Sequence, residues 1–237
     1  MPAASLTISC GHFLLCLLIY HPLIYSCDTR FSRESDLTRH YCVACRYPLN
    51  SCLCGSIQPI YPSTRLVVLQ HPSEVEHKKN SVRVLSLAVP ETQIYVGEDE
   101  HDFSELRNDL TKHDQPIYLV YPSDNSVSVE AQDISPNCVL LLLDGTWRKA
   151  FKMLQLNPWL NEYPAVHLTE GYESRYKIRK SSRSDSLSTL EACAYMLSAL
   201  DPLLNVAPVI TAFDAMVEMR IKAMPPEIQV RYREFSE

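Results

Sequence analysis

The run Val139-Leu-Leu-Leu-Leu143 constrains the fold of this chain more than any other feature. Five consecutive apolar residues with no polar alternation suit a strand covered on both faces, and Thr146 to Leu156 after it reads as a helix. Such a strand belongs near the centre of a largely parallel sheet with helices above and below. Other segments fit this plan. Arg65 to Gln70 (RLVVLQ) reads as a buried strand that runs into His71-Pro72, and Asn80 to Val89 as a helix stopped by Pro90. Gln93 to Val96 follows as a strand, Phe103 to Lys112 as a polar helix, Ile117 to Tyr121 as a strand closed by Pro122, and Ala165 to Leu168 as a further strand. Ser188-Thr-Leu-Glu191 has the spacing of a capping box, and it opens an apolar helix that ends at Asp201-Pro202. A last amphipathic helix covers Val209 to Ile221. Strands alternating with helices predict an α/β domain.

Composition narrows the functional classes. At 237 residues, 46% hydrophobic and 21% charged, the chain has ordinary globular usage, which excludes a collagen-like or wholly disordered protein. With 22 Lys and Arg against 28 Asp and Glu it is acidic, so a nucleic-acid partner would need a local basic patch. There are five glycines, at 11, 55, 97, 145 and 171, and they are well separated. Dinucleotide loops and phosphate loops both need clustered glycines to let backbone N–H groups approach phosphate, so neither motif is present. The apolar run Phe13 to Tyr20 is shorter than the ~20 residues of a spanning helix, has no Lys or Arg before it, and is followed by Pro22. Residues 1–39 are therefore expected to be a hydrophobic extension outside the core, with no stable membrane association.

Seven of the nine cysteines precede residue 55, and four form the pattern Cys42-x2-Cys45-x6-Cys52-x-Cys54. Two short pairs can present four thiolates tetrahedrally to a structural Zn²⁺, in a segment too small for a core of its own. A zinc knuckle built on these four cysteines is expected over residues 40–58. Free thiols or two disulfides are the alternatives. Zinc thiolates imply a reducing compartment, hence a cytoplasmic protein.

The most distinctive peptide is Asp144-Gly145-Thr146-Trp147, at the junction of the central strand and its helix. Open parallel sheets bind ligands beyond the carboxyl ends of their strands, which is where Asp144 would project and Trp147 could wall a flat base. The alternative is an N-capping Asp144 and a core Trp147. A basic group surrounds this peptide. Between Leu141 and Arg183 stand Arg148, Lys149, Lys152, Arg175, Lys177, Arg179, Lys180 and Arg183, against Asp144, Glu162, Glu170 and Glu173, a local net charge of +4. That suits a phosphate backbone, with Tyr172 and Tyr176 as candidate stacking surfaces for unpaired bases.

The four cysteines, His71-Pro72-x-Glu74, Asp144-Gly145-Thr146-Trp147 and Leu187-Ser188-Thr189-x-Glu191 occur in the order seen in the DTW-domain family, which this chain resembles over about residues 40 to 225. It departs from the family at Lys79-Asn80-Ser81-Val82 before Arg83, where Val82 replaces a glycine. The resemblance implies a tRNA-uridine aminocarboxypropyltransferase with a catalytic domain over residues 59–237. Such an enzyme moves the 3-amino-3-carboxypropyl group of S-adenosylmethionine to N3 of a tRNA uridine and releases methylthioadenosine. It also implies a SPOUT-like sheet with a trefoil knot, whose cofactor site uses no glycine-rich loop. In that reaction the weakly acidic uridine N3–H must lose its proton to a base, for which Asp144 is the candidate. Thr146, Trp147, Leu187, Ser188 and Thr189 are expected against the cofactor, as are His71 and Pro72, with orientation of the substrate the alternative role for His71. The eight basic residues would then hold tRNA, and Cys42, Cys45, Cys52 and Cys54 would hold zinc. The rival readings are a SPOUT-type RNA methyltransferase and a non-catalytic zinc-knuckle RNA-binding protein. No protein partner is implied.

Overall fold

The computed structural model describes residues 40–112, 114–169, 171–176, 178 and 187–233. Its centre is a six-stranded sheet of β1 (Arg65–Gln70), β2 (Gln93–Val96), β3 (Ile117–Val120), β4 (Val127–Ser128), β5 (Val139–Asp144) and β6 (Ala165–His167). The strands run in the order β2-β1-β5-β3-β6-β4, and every pairing is parallel. Parallel neighbours require crossovers. These carry α1 (Pro72–Val75), α2 (Val82–Ala88), α3 (Ser104–Leu110) and α4 (Trp147–Leu156); α5 (Thr189–Leu200), α6 (Ala207–Lys222) and α7 (Pro226–Arg233) follow the last strand.

The apolar runs of β1 and β5 are continuous because each strand is buried on both sides. Leu66, Val68, Leu140 and Leu142 face one cluster with α2, α5 and α6, including Leu85, Leu197 and Phe213. Val67, Leu69, Val139 and Leu141 face the other, with Phe103 just before α3, Leu106 on α3 and Met153 on α4. Central placement of the VLLLL strand follows, between β1 and β3. The two-residue β4 at the sheet edge, the four-residue α1 and the polar α7 are additions to the sequence-based plan.

The register pairs Leu66 with Leu140, Val68 with Leu142 and Gln70 with Asp144, so both strands end level. Residues 179–186, between β6 and α5, lie outside the described residues, and the expected knot is not shown. Among the described residues no helix is long and apolar enough to cross a membrane.

Candidate active site

Strand alternation builds the first part of the site. Gln70 and Asp144 share the parity of Leu66, Val68, Leu140 and Leu142, so their side chains emerge on the α5 side of the sheet. There Gln70 Nε2 donates to Asp144 Oδ2 at 2.8 Å, and Thr189 Oγ1, in the first turn of α5, donates to Asp144 Oδ1 at 2.6 Å. Asp144 is only 8% exposed. It does not cap α4, because Thr146 holds that position and its hydroxyl accepts from the Lys149 N–H at 3.4 Å. Gly145 lets the helix approach closely, since a Cβ there would stand 3.1 Å from the Lys149 Cβ.

These residues open onto a cavity of about 1280 Å³ at the carboxyl ends of β3, β5 and β6. Asp144, Thr146, Trp147, Leu187, Ser188 and Thr189 all line it. Trp147 is 45% exposed and meets Tyr121 edge-on, with ring centroids 6.2 Å apart, so it is a wall of the cavity and not a core aromatic. The α5 edge is held by the capping box of Ser188 and Glu191. Glu191 is fully buried, and its carboxylate also accepts from the Arg175 N–H at 2.6 Å and the Ser174 hydroxyl at 3.0 Å, which fastens the 174–176 segment to the helix.

His71 and Pro72 are not among the cavity-lining residues. His71 follows Gln70 by one position in extended backbone, so its ring leaves on the opposite face, where Nε2 meets Glu98 Oε1 at 3.1 Å. Pro72 takes the first position of α1, where its ring fixes the turn. Conversely, Gln70 carries no signal in the sequence yet donates directly to Asp144, and Ser81, Tyr121 and His167 join the cavity wall, as does Glu74 of the His71-Pro72-x-Glu74 motif. Only knowledge that β1 and β5 are neighbours in register would have singled out Gln70.

The expected RNA-facing charges are partly neutralised. Lys149 pairs with Glu74 at 2.7 Å, Lys152 with Glu98 at 2.9 Å, and Arg175 with Asp214 through two bonds of 2.6 and 3.1 Å. Arg148 is exposed. Lys177, Arg179, Lys180 and Arg183 lie outside the described residues. Tyr176 is no stacking surface: it is buried edge-on against Phe213, and its hydroxyl donates to the Lys79 carbonyl at 2.6 Å. Tyr172 lines the cavity, packs on Tyr195 and donates to Glu130 at 3.0 Å.

The four cysteines converge on one point. Cys42 and Cys54 have Sγ atoms 3.6 Å apart, Cys45 and Cys52 3.7 Å, and all four lie within 4.8 Å of one another. A disulfide needs about 2.05 Å, and all four are free thiols. Four sulfurs placed tetrahedrally at about 2.3 Å from a zinc ion stand about 3.8 Å apart, so the cluster could hold such an ion. Backbone N–H groups, that of Cys45 first, pull the Cys42 thiol down to about 6, whereas burial pushes those of Cys45 and Cys54 up. The turn between the pairs passes through Arg46 at φ 56°. Arg83 supports it by lying 4.4 Å over the Tyr47 ring and donating to the carbonyls of Cys45 and Arg46.

The DTW domain model matches residues 39–221. A relative from Drosophila melanogaster named tRNA-uridine aminocarboxypropyltransferase 2 is 31% identical over 179 residues, covering 72% of this chain and 70% of its own length. Proteins of the same name from Macaca fascicularis and Mus musculus are 28% and 27% identical over 71% and 69% of this chain. The alignments span 59% and 57% of those two relatives, less than two thirds of their length. With a match across most of its length that takes in both the cysteine cluster and the strand-end aspartate, this chain belongs to the DTW-domain family.

Proposed function

We propose that this chain is a tRNA-uridine aminocarboxypropyltransferase that uses S-adenosylmethionine as donor. The observation that carries the reading is Asp144, held by Gln70 and Thr189 at the mouth of β5 and opening onto a cavity beside Trp147, in a chain of this family. The volume exceeds the roughly 300–1,000 Å³ of an ordinary small-ligand pocket, which leaves room for a nucleoside donor and an extruded base together. Its walls combine apolar strand ends such as Val120, Leu142 and Val166 with the hydroxyls of Thr146, Ser188 and Thr189, which suits an adenosine. The donor carries no phosphate, in keeping with a chain that lacks glycine-rich loops. When bound, it supplies a carbon made electrophilic by the adjacent sulfonium.

The residues of this chain do the rest. Thr146, Trp147, Leu187, Ser188 and Thr189 border the donor and orient it so that the aminocarboxypropyl arm, not the methyl group, meets the acceptor. Asp144 takes the proton from uridine N3, a weakly acidic N–H that must be lost as the new bond forms. Arg148 and the basic stretch of Lys177, Arg179, Lys180 and Arg183 supply positive charge for RNA phosphates. Cys42, Cys45, Cys52 and Cys54 hold structural zinc as a knuckle over residues 40–58, ahead of a catalytic domain over 59–237, and the protein works in the cytoplasm.

Mass spectrometry of tRNA nucleosides from cells lacking the protein tests this. Loss of aminocarboxypropyluridine, restored by wild type and reduced about 10²- to 10⁴-fold by Asp144→Asn, is the expected outcome. Unchanged turnover in Asp144→Asn would remove the base assignment. S-adenosylhomocysteine in place of methylthioadenosine would mark a methyltransferase, and RNA affinity without donor binding would mark a non-catalytic protein. For the knuckle, a strong chelator is expected to extract one zinc per chain and lower the melting temperature, with Cys45→Ser reproducing both effects.

A further inference from the structure

Acidic, basic and histidine side chains at six positions line the cavity: Glu74, His77, Lys79, Asp144, Lys149 and His167. Asp144 is occupied by Gln70 and Thr189, and Lys79 Nζ donates to the Ile178 carbonyl at 2.6 Å. Glu74 and Lys149 differ, because they are paired with each other inside the cavity wall. Lys149 Nζ donates to Glu74 Oε1 at 2.7 Å and to Ser73 Oγ at 2.6 Å. An ammonium has three N–H donors, so one stays unused among the described residues, as does Glu74 Oε2. The Lys149 side chain is 33% exposed and that of Glu74 17%, which limits screening by solvent and salt.

A half-buried pair of opposite charges, each with spare hydrogen-bonding capacity, is complementary to a ligand that carries an ammonium and a carboxylate on one carbon. We infer that Glu74 and Lys149 form the receptor for the zwitterionic amino-acid head of the donor, Lys149 taking the carboxylate and Glu74 the ammonium. The inference rests on the donor reading above. It moves Lys149 from RNA binding to donor binding. The pair is neutral overall, so the head enters without burying net charge. It also grips the arm that is transferred and not the adenosine that stays behind. Once the arm has gone to the acceptor, methylthioadenosine has nothing to offer the pair, and donor is favoured over spent donor.

Calorimetry on the full chain with S-adenosylmethionine and with methylthioadenosine tests this without turnover. Wild type is expected to bind S-adenosylmethionine more tightly. Lys149→Met and Glu74→Gln are each expected to weaken it about 10- to 150-fold, the range for hydrogen bonds to charged groups, and to leave methylthioadenosine affinity unchanged, which also shows that the variants are folded. Equal weakening of both ligands, or of neither, would overturn the assignment and leave the pair as a clasp between α1 and α4. If wild type bound neither ligand, the donor reading itself would fail, and this assignment with it.

Discussion

At the carboxyl ends of β1 and β5, consecutive residues on opposite faces of the sheet build two different structures. On the α5 face, Gln70, Asp144 and Thr189 make a buried cluster in which the Asp144 carboxyl accepts from the Gln70 amide and the Thr189 hydroxyl and opens onto a cavity. One residue further, His71 leaves on the other face, where with Lys152 it converges on Glu98, away from the cavity. The first arrangement keeps a charged group fixed and accessible to a ligand. The second satisfies its charges internally and ties the β1 end to α4. Proximity in sequence to a motif therefore does not place a side chain in the site; strand parity does.

Gln70→Leu tests this contrast with the largest expected effect. It keeps side-chain bulk on the cavity face but removes the donor at 2.8 Å from Asp144 Oδ2. A loss of about 10- to 100-fold in kcat is expected, of the size a small misplacement of a reacting group produces, with little change in the KM for the donor. His71→Ala should cost less activity than Gln70→Leu. Its main effect is on stability, a loss of about 1 kcal/mol from the missing cap of α1, read by denaturant unfolding. If His71→Ala were the more damaging to turnover, the division between the two faces would be wrong.

Much of this was legible in the residues. Arg65 to Gln70 and Gln93 to Val96 form strands with the bounds expected from short apolar runs punctuated by proline, and α5 opens on the Ser188 to Glu191 capping box. Local patterns carry that information because local forces decide it. The partnerships do not lie in local patterns. Gln70 meets Asp144, Lys149 meets Glu74 and Arg175 meets Asp214 across 74, 75 and 39 positions of chain. Those contacts depend on strand order and register, which composition and periodicity leave open. The same gap explains the basic residues: counted along the chain they make a cationic stretch, but the fold brings acids from elsewhere to three of them. β4, with two residues, is too short for alternation to register.

The smallest effect comes from the clasp on the far face and is the one that pH can switch. Hydrogen bonds from Lys152 and then His71 lower the Glu98 carboxyl below the ordinary glutamate range. A carboxyl depressed in the folded state adds stability above its unfolded pKa, and that contribution is lost as the pH falls through the folded value. Lys152→Ala should therefore lower the melting temperature slightly at neutral pH, and the gap from wild type should close on acidification through the folded pKa of Glu98. Salt should close it too, since the Lys152 side chain is 59% exposed. Gln70→Leu should show no response to salt, because Gln70 is uncharged and acts on a buried partner. A gap for Lys152→Ala that persisted in acid would mean that its side chain acts through packing and not through charge, and the far face would then have no ionic clasp to set against the neutral donors of the cavity.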